Sequence, residues 1–155
     1  MRRSLLIWQI LAWMAWSLTA QGATGKIIKV LPHLLDRQGR HTLSPSLYDR
    51  DAYQFQLQQH PEQQSAIRFD VQWKSKGPVW APLKLRVELR GTTQGDSPKQ
   101  VLLERSVEPS GWLGHWTGLT LGGEDFKNFG AITAWRVTLW ENDQLLGEER
   151  SFLWE

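Results

Sequence analysis

The sequence predicts a mainly β protein: a single antiparallel β-sandwich of about seven strands, with one short helix over residues 45–59 between the first strand and the rest. Three observations predict it. Two segments alternate strictly between apolar and polar residues, the period of a strand with one face on a core. Gly/Pro-rich turns separate such segments at regular intervals. One polar stretch near the start carries the grammar of a helix N-terminus instead.

The chain opens with MRRSLLIWQILAWMAWSLTAQGA. Arg2 and Arg3 form a basic region, Leu5–Trp16 is apolar apart from Gln9, and small residues lead to Ala20 and Ala23. This is the order of a secretory signal peptide over residues 1–20, cut after Ala20 or as late as Ala23. The apolar run falls short of the roughly 20 residues that span a bilayer, so an uncleaved anchor is the alternative. The domain expected after it is a single sandwich over residues 26–155. No membrane span is expected once the signal is cut.

Charge follows from that cut. The chain has 18 Lys+Arg and 16 Asp+Glu. Loss of Arg2 and Arg3 leaves no net formal charge, hence no general basic field for nucleic acid; a local patch stays open. The cysteine count of 0 excludes disulfides, thiolate metal sites and a cysteine nucleophile. With no Asn-x-Ser/Thr acceptor either, an exported bacterial protein, periplasmic or secreted, is the expectation.

The first strand is read at KIIKVL, residues 26–31. Asp36–Gln54 then packs acids, arginines, His41 and several hydroxyls into one stretch. Gly39 centres a turn. Ser44 reads as helix cap, Pro45 as first helical residue, and Asp49 and Asp51 as acids suited to the helix dipole. His60-Pro61 ends the helix. Tyr48, Ala52 and Phe55 share a stripe at i, i+4 and i+7. The competing strand reading rests on Tyr53, Phe55 and Leu57.

The alternating strands come next. Ile67, Phe69, Val71 and Trp73 oppose Arg68, Asp70, Gln72 and Lys74; Leu83, Leu85, Val87 and Leu89 oppose Lys84, Arg86, Glu88 and Arg90. Weaker strands follow at 100–107, 115–121, 132–140 and from 144 onward. Asn142-Asp143 reads as a tight hairpin turn, Gly147 as a bulge, and the stretch GGEDFKNFG as a turn.

From Ser65 to Trp154 the alternating pair and the closing hairpin AWRVTLWENDQLLGEERSFLW resemble an immunoglobulin-like or fibronectin type III-like sandwich. The resemblance is to the superfold alone. The antibody cysteine pair is missing, and no tyrosine follows Tyr53, so there is no tyrosine corner.

Chemistry has few candidates. Asp36, His41 and Ser44 or Ser46 name a hydrolytic triad on paper, but no Gly-x-Ser-x-Gly elbow supports it; capping explains these residues without catalysis. Asp49-x-Asp51 starts like a calcium loop, then departs at Tyr53 and Gln54. The four histidines lack zinc-motif spacing. Glu124-Asp125 reads as a charged turn. No cofactor or metal is expected.

The tryptophans are the stronger signal. Trp73, Trp135 and Trp140 lie in strands and Trp154 near the end, where packing accounts for them. Trp80, Trp112 and Trp116 lie in or beside Gly/Pro-rich loops, where they either plug the sandwich or serve as contacts. The reading is a non-catalytic exported binding domain whose partner is another envelope protein. The alternative is a carbohydrate-binding module using Trp80, Trp112 and Trp116; a hydrolase built on the Asp36–Asp51 region ranks third. His41, Asp49 and Arg50 form a secondary polar candidate.

Overall fold

The computed structural model describes residues 22–93, 97–109 and 113–155. The signal-peptide expectation, apart from the later of its two cuts, and Trp112 fall outside these.

Seven strands form two antiparallel sheets. They are β1 (Thr24–Asp36), β2 (Gln64–Lys76), β3 (Leu83–Thr92), β4 (Pro98–Val107), β5 (His115–Gly122), β6 (Ala131–Glu141) and β7 (Gln144–Arg150). One sheet has the order β1-β2-β5 and the other β4-β3-β6-β7. Helix α1 (Leu47–Gln59) and a 3₁₀ turn (Pro61–Gln63) lie between β1 and β2, and helix α2 (Gly123–Phe129) between β5 and β6.

Alternation decides what each sheet buries. Phe69, Val71, Leu83, Leu85, Val87, Leu89, Val137 and Leu139 are wholly buried, and Trp73 nearly so. Burying each such side chain contributes about 1.5–3 kcal/mol. Trp73 still satisfies its indole, which donates to Thr117 Oγ1 at 2.9 Å. The sheets meet most closely where β1 faces β7, across Gly25 and Gly147. A Cβ on Gly147 would stand 2.8 Å from Gly25 O, so a side chain there would force the strands apart. On the other side, β4 and β5 are open edges, and Arg105 reaches over to donate to Gly118 O at 3.1 Å.

The hairpin turn at Asn142 and Asp143 is as expected, with Asn142 at φ 50°. The bulge also occurs: Leu139 pairs with Gly147 and Trp140 with Leu145, leaving Leu146 as the extra residue.

Four details differ from expectation. β1 extends past residue 31 to Asp36; Pro32 fits within it because β1 is an edge strand. The GGEDFKNFG turn is a helix, which drives Phe129 into the core. The cap of α1 is Ser46, whose Oγ accepts from Asp49 N, so the helix starts two residues after Pro45. Ser44 instead donates to Asp49 Oδ2 at 2.7 Å and accepts from Ser46 N. Finally, the stripe Tyr48, Ala52 and Phe55 does not face the domain; Tyr53 and Leu57 do.

Candidate functional site

The segment between β1 and β2 is pinned to the sandwich at one acid. Asp36 is 4% exposed. Its carboxylate accepts from Gln38 N, Arg40 N and Arg40 Nε at 2.8 Å, and from the Tyr53 hydroxyl at 2.7 Å. Burial pushes this carboxyl up; the hydrogen bonds outweigh it and hold it at about 2. Tyr53 thus ties α1 to the end of β1.

A second tie uses an amide. Gln54 accepts from Leu34 N at 2.8 Å and donates to Leu34 O at 2.9 Å. It imitates one rung of a ladder on the open edge of β1. An uncovered edge is a template for unwanted pairing, so this contact also protects it. The same amide donates to His41 O at 2.8 Å, which fixes the loop before α1.

That loop lays His41 on the outer face of the three-stranded sheet. Its ring centroid lies 4.9 Å from that of His33. Arg68 donates to Asp70 Oδ2 through Nε at 3.1 Å and through Nη2 at 2.9 Å, and approaches His41 Nδ1 at 3.3 Å. Asp70 Oδ2 is also 3.7 Å from His33 Nε2. Both imidazoles are pushed below their ordinary range. Burial is the largest cause for each; for His33 the His41 ring comes next, for His41 the Arg68 guanidinium, while Asp70 pulls the other way. Two neutral histidines beside a fully engaged Arg–Asp pair make a rigid polar plate. Among the described residues no three His, Asp or Glu side chains form a group able to hold a metal.

Each sequence candidate can now be placed. His41 joins this plate, and the charge of Arg50 reaches both rings. Asp49 does not join: it serves the cap with Ser44 and Ser46. Arg50 pairs with Asp51 at 2.9 Å. The paper triad does not assemble, because Asp36 holds Tyr53 and Arg40, the serines hold Asp49, and His41 faces Arg68.

Sequence reading missed the outward face of α1. Tyr48 is 83% and Phe55 63% exposed, with Ala52 exposed between them and Leu47 (68%) and Leu43 (62%) beside them. The helix therefore carries two apolar stripes. Tyr53 and Leu57 point in, and Tyr48, Ala52 and Phe55 point out. The i, i+4, i+7 spacing showed the outer stripe but not which way it faced. The deciding signal is Gln54: a long amide beside Tyr53 suits a strand edge better than open water.

The loop tryptophans lie toward the other end of the sandwich. Trp80 is 87% exposed, and its loop is held by Glu141, whose Oε1 accepts from Trp80 N at 2.6 Å and Ala81 N at 3.1 Å. Trp116 is 51% exposed and lines a cleft of about 270 Å³ with Arg105, Glu108 and His115. Neither plugs the sandwich. They also do not converge with His41, Asp49 and Arg50. Trp116 pairs opposite Gln72, and the Trp80 loop follows β2, while His41 contacts Arg68 nearer the start of that strand.

Trp154 covers part of the outer face of the four-stranded sheet. Trp154 lies between Arg90, 4.0 Å from its ring centroid, and Arg136, at 5.1 Å. Arg86 lies over Trp140 at 5.2 Å and pairs with Glu104 at 2.7 Å, and Arg136 pairs with Glu88. These cations are consumed internally.

No protein-family model, curated protein sequence or solved structure matches this chain.

Proposed function

We propose that this chain is a non-catalytic, exported binding domain of the bacterial envelope or exterior, which docks α1 into an apolar groove on a second envelope protein. The observation that carries this reading is the outward stripe of Tyr48, Ala52 and Phe55. Two aromatic rings about two helical turns apart, with a small residue between, fit the helix-in-groove mode of recognition. Surface helices ordinarily turn such residues inward. The fixed scaffold supports the same reading: Asp36, Tyr53 and Gln54 hold α1 against β1, so little ordering is left to accomplish on binding. The leader-like N-terminus supports export.

The strand order supports an immunoglobulin-like or fibronectin type III-like assignment. The first, second and fifth strands form one sheet; the third, sixth and seventh form the other, with the fourth added beside the third. The constant-type immunoglobulin arrangement also has seven strands, and this order differs from it in carrying the fourth strand beside the third instead of beside the fifth.

The test is a photo-crosslinking residue placed at Phe55 in cells. A discrete protein adduct that disappears with Tyr48→Ser supports the docking reading. The exposed rings of Trp80 and Trp116 favour the glycan alternative. Absence of an adduct, together with quenching of Trp116 emission by an envelope polysaccharide, transfers the function to that reading. Reproducible substrate turnover by purified protein overturns both.

A further inference from the structure

The formally neutral domain is not evenly neutral. Lys26, Lys29, Lys74 and Lys76 lie on the outer face of the three-stranded sheet, toward the end where β1 starts and β2 finishes. Lys26 stands directly opposite Lys74, Lys76 opposite Thr24, and Lys29 opposite Gln72. Among the described residues none of the four forms an ion pair. Like charges directly opposite across a strand pair are unfavourable. The arrangement therefore holds a repulsion that an external anion relieves. The contrast with the other sheet is sharp, because Arg86 and Arg136 there are each matched with a glutamate.

Apolar side chains are interleaved with these lysines. Ile28 is 42% exposed and Trp116 51%. Gly114 leaves room for Ile28, whose Cδ1 would stand 3.1 Å from a Cβ there. Leu113 (60%) and Trp80 (87%) project from loops at the same end. Glu141 does not oppose this field outward, since its carboxylate is buried and bonded to the Trp80 loop. Glu108 and Asp143 are the remaining acids nearby; Glu108 shares its cleft with Arg105.

We propose that this end of the sandwich rests on an anionic lipid surface, with the four lysines over the headgroups and Trp80, Trp116, Ile28 and Leu113 at the boundary with the acyl chains. Amphipathic tryptophan and long basic side chains are the residue types that settle at that depth. Charge complementarity selects an anion, and the aliphatic pair Ile28 and Leu113 selects lipid over a sugar polymer, which offers polar ring faces. α1 is tied to Leu34 and Asp36, toward the other end of β1.

The experiment uses the full chain with vesicles of phosphatidylcholine alone or with about one third phosphatidylglycerol, and sedimentation as readout. Each lysine near an anionic surface contributes about fivefold in partitioning, and the effect is screened by salt. The wild-type chain is expected to favour the anionic vesicles and to lose that preference in 0.5 M salt. The variant Lys26→Gln/Lys29→Gln/Lys74→Gln/Lys76→Gln is expected to lose roughly six hundredfold, with unchanged circular dichroism. Trp116→Ala should lower partitioning on anionic vesicles while its salt dependence persists. Equal binding to both vesicle types, or equal binding by wild type and the fourfold variant, overturns the proposal. So does preference for a soluble acidic polysaccharide over the vesicles. Tyr48→Ser/Phe55→Ser is expected to leave vesicle binding intact, which separates this proposal from the docking function of α1.

Discussion

Replacing Asp36 with Asn tests whether one buried acid holds the functional segment in place. The folded carboxyl sits at about 2 against an ordinary 3.8. At 1.36 kcal/mol per pH unit, this difference is worth about 2 kcal/mol at neutral pH. That value is an upper figure, because Arg40 is half exposed and its share is screened. The sign follows from the depressed value. The stabilisation is fully present above 3.8 and is lost as pH falls from there toward 2. The asparagine keeps one oxygen for the amides of Gln38 and Arg40. Its NH₂ replaces the oxygen that accepts from Arg40 Nε and Tyr53, setting a donor against a donor. Thermal unfolding followed by circular dichroism should place Asp36→Asn roughly 5–10 °C below wild type at pH 7. The gap should narrow steadily between pH 4 and pH 2. A gap that stays constant over that window would refute the assignment of the stabilisation to this carboxylate.

Other consequences are open to measurement. Gln54→Leu removes both bonds to Leu34 and the bond to His41; it should cost about 1–3 kcal/mol and raise the exchange rate of the Leu34 amide in particular. Gly147→Val should destabilise by 2 kcal/mol or more in urea titration, because the new side chain meets Gly25 and Lys26 backbone. The lowered histidines predict loss of stability as pH falls below about 6.5, since the unfolded chain takes up protons there first. His33→Gln should flatten that part of the profile. Glu141→Ala should free the loop amides of Trp80 and Ala81 and raise the fluorescence anisotropy decay rate at Trp80, leaving α1 unaffected.

The strands were legible because alternation is a local property: Phe69, Val71 and Trp73 announce their shared face within a few residues. The hairpin at Asn142 and the bulge beside Gly147 were legible for the same reason. The orientation of α1 was not. Tyr48/Ala52/Phe55 and Tyr53/Leu57 are both plausible inner stripes, and the choice is made by Asp36 and Leu34, residues 17 and 20 positions away from their partners. The lysine field was invisible for a related reason. Lys26 and Lys74 are distant in sequence and adjacent only through register. α2 was read as a turn because its two flanking glycines outweighed its central apolar residues; Phe126 and Phe129 supply the burial that makes it a helix.

The strands β1 and β2 are direct antiparallel neighbours, so a turn of two to five residues would join them. The chain instead spends roughly 27 residues between Asp36 and Gln64. Closing that longer loop costs about 1.5–2 kcal/mol more than closing a short one. The topology requires none of it. The bonds of Asp36 offset a cost of similar size. The excursion is thus close to self-supporting, a removable attachment on a sandwich that closes without it. Trimming it to a short turn should therefore leave a folded two-sheet domain that has lost its α1 face.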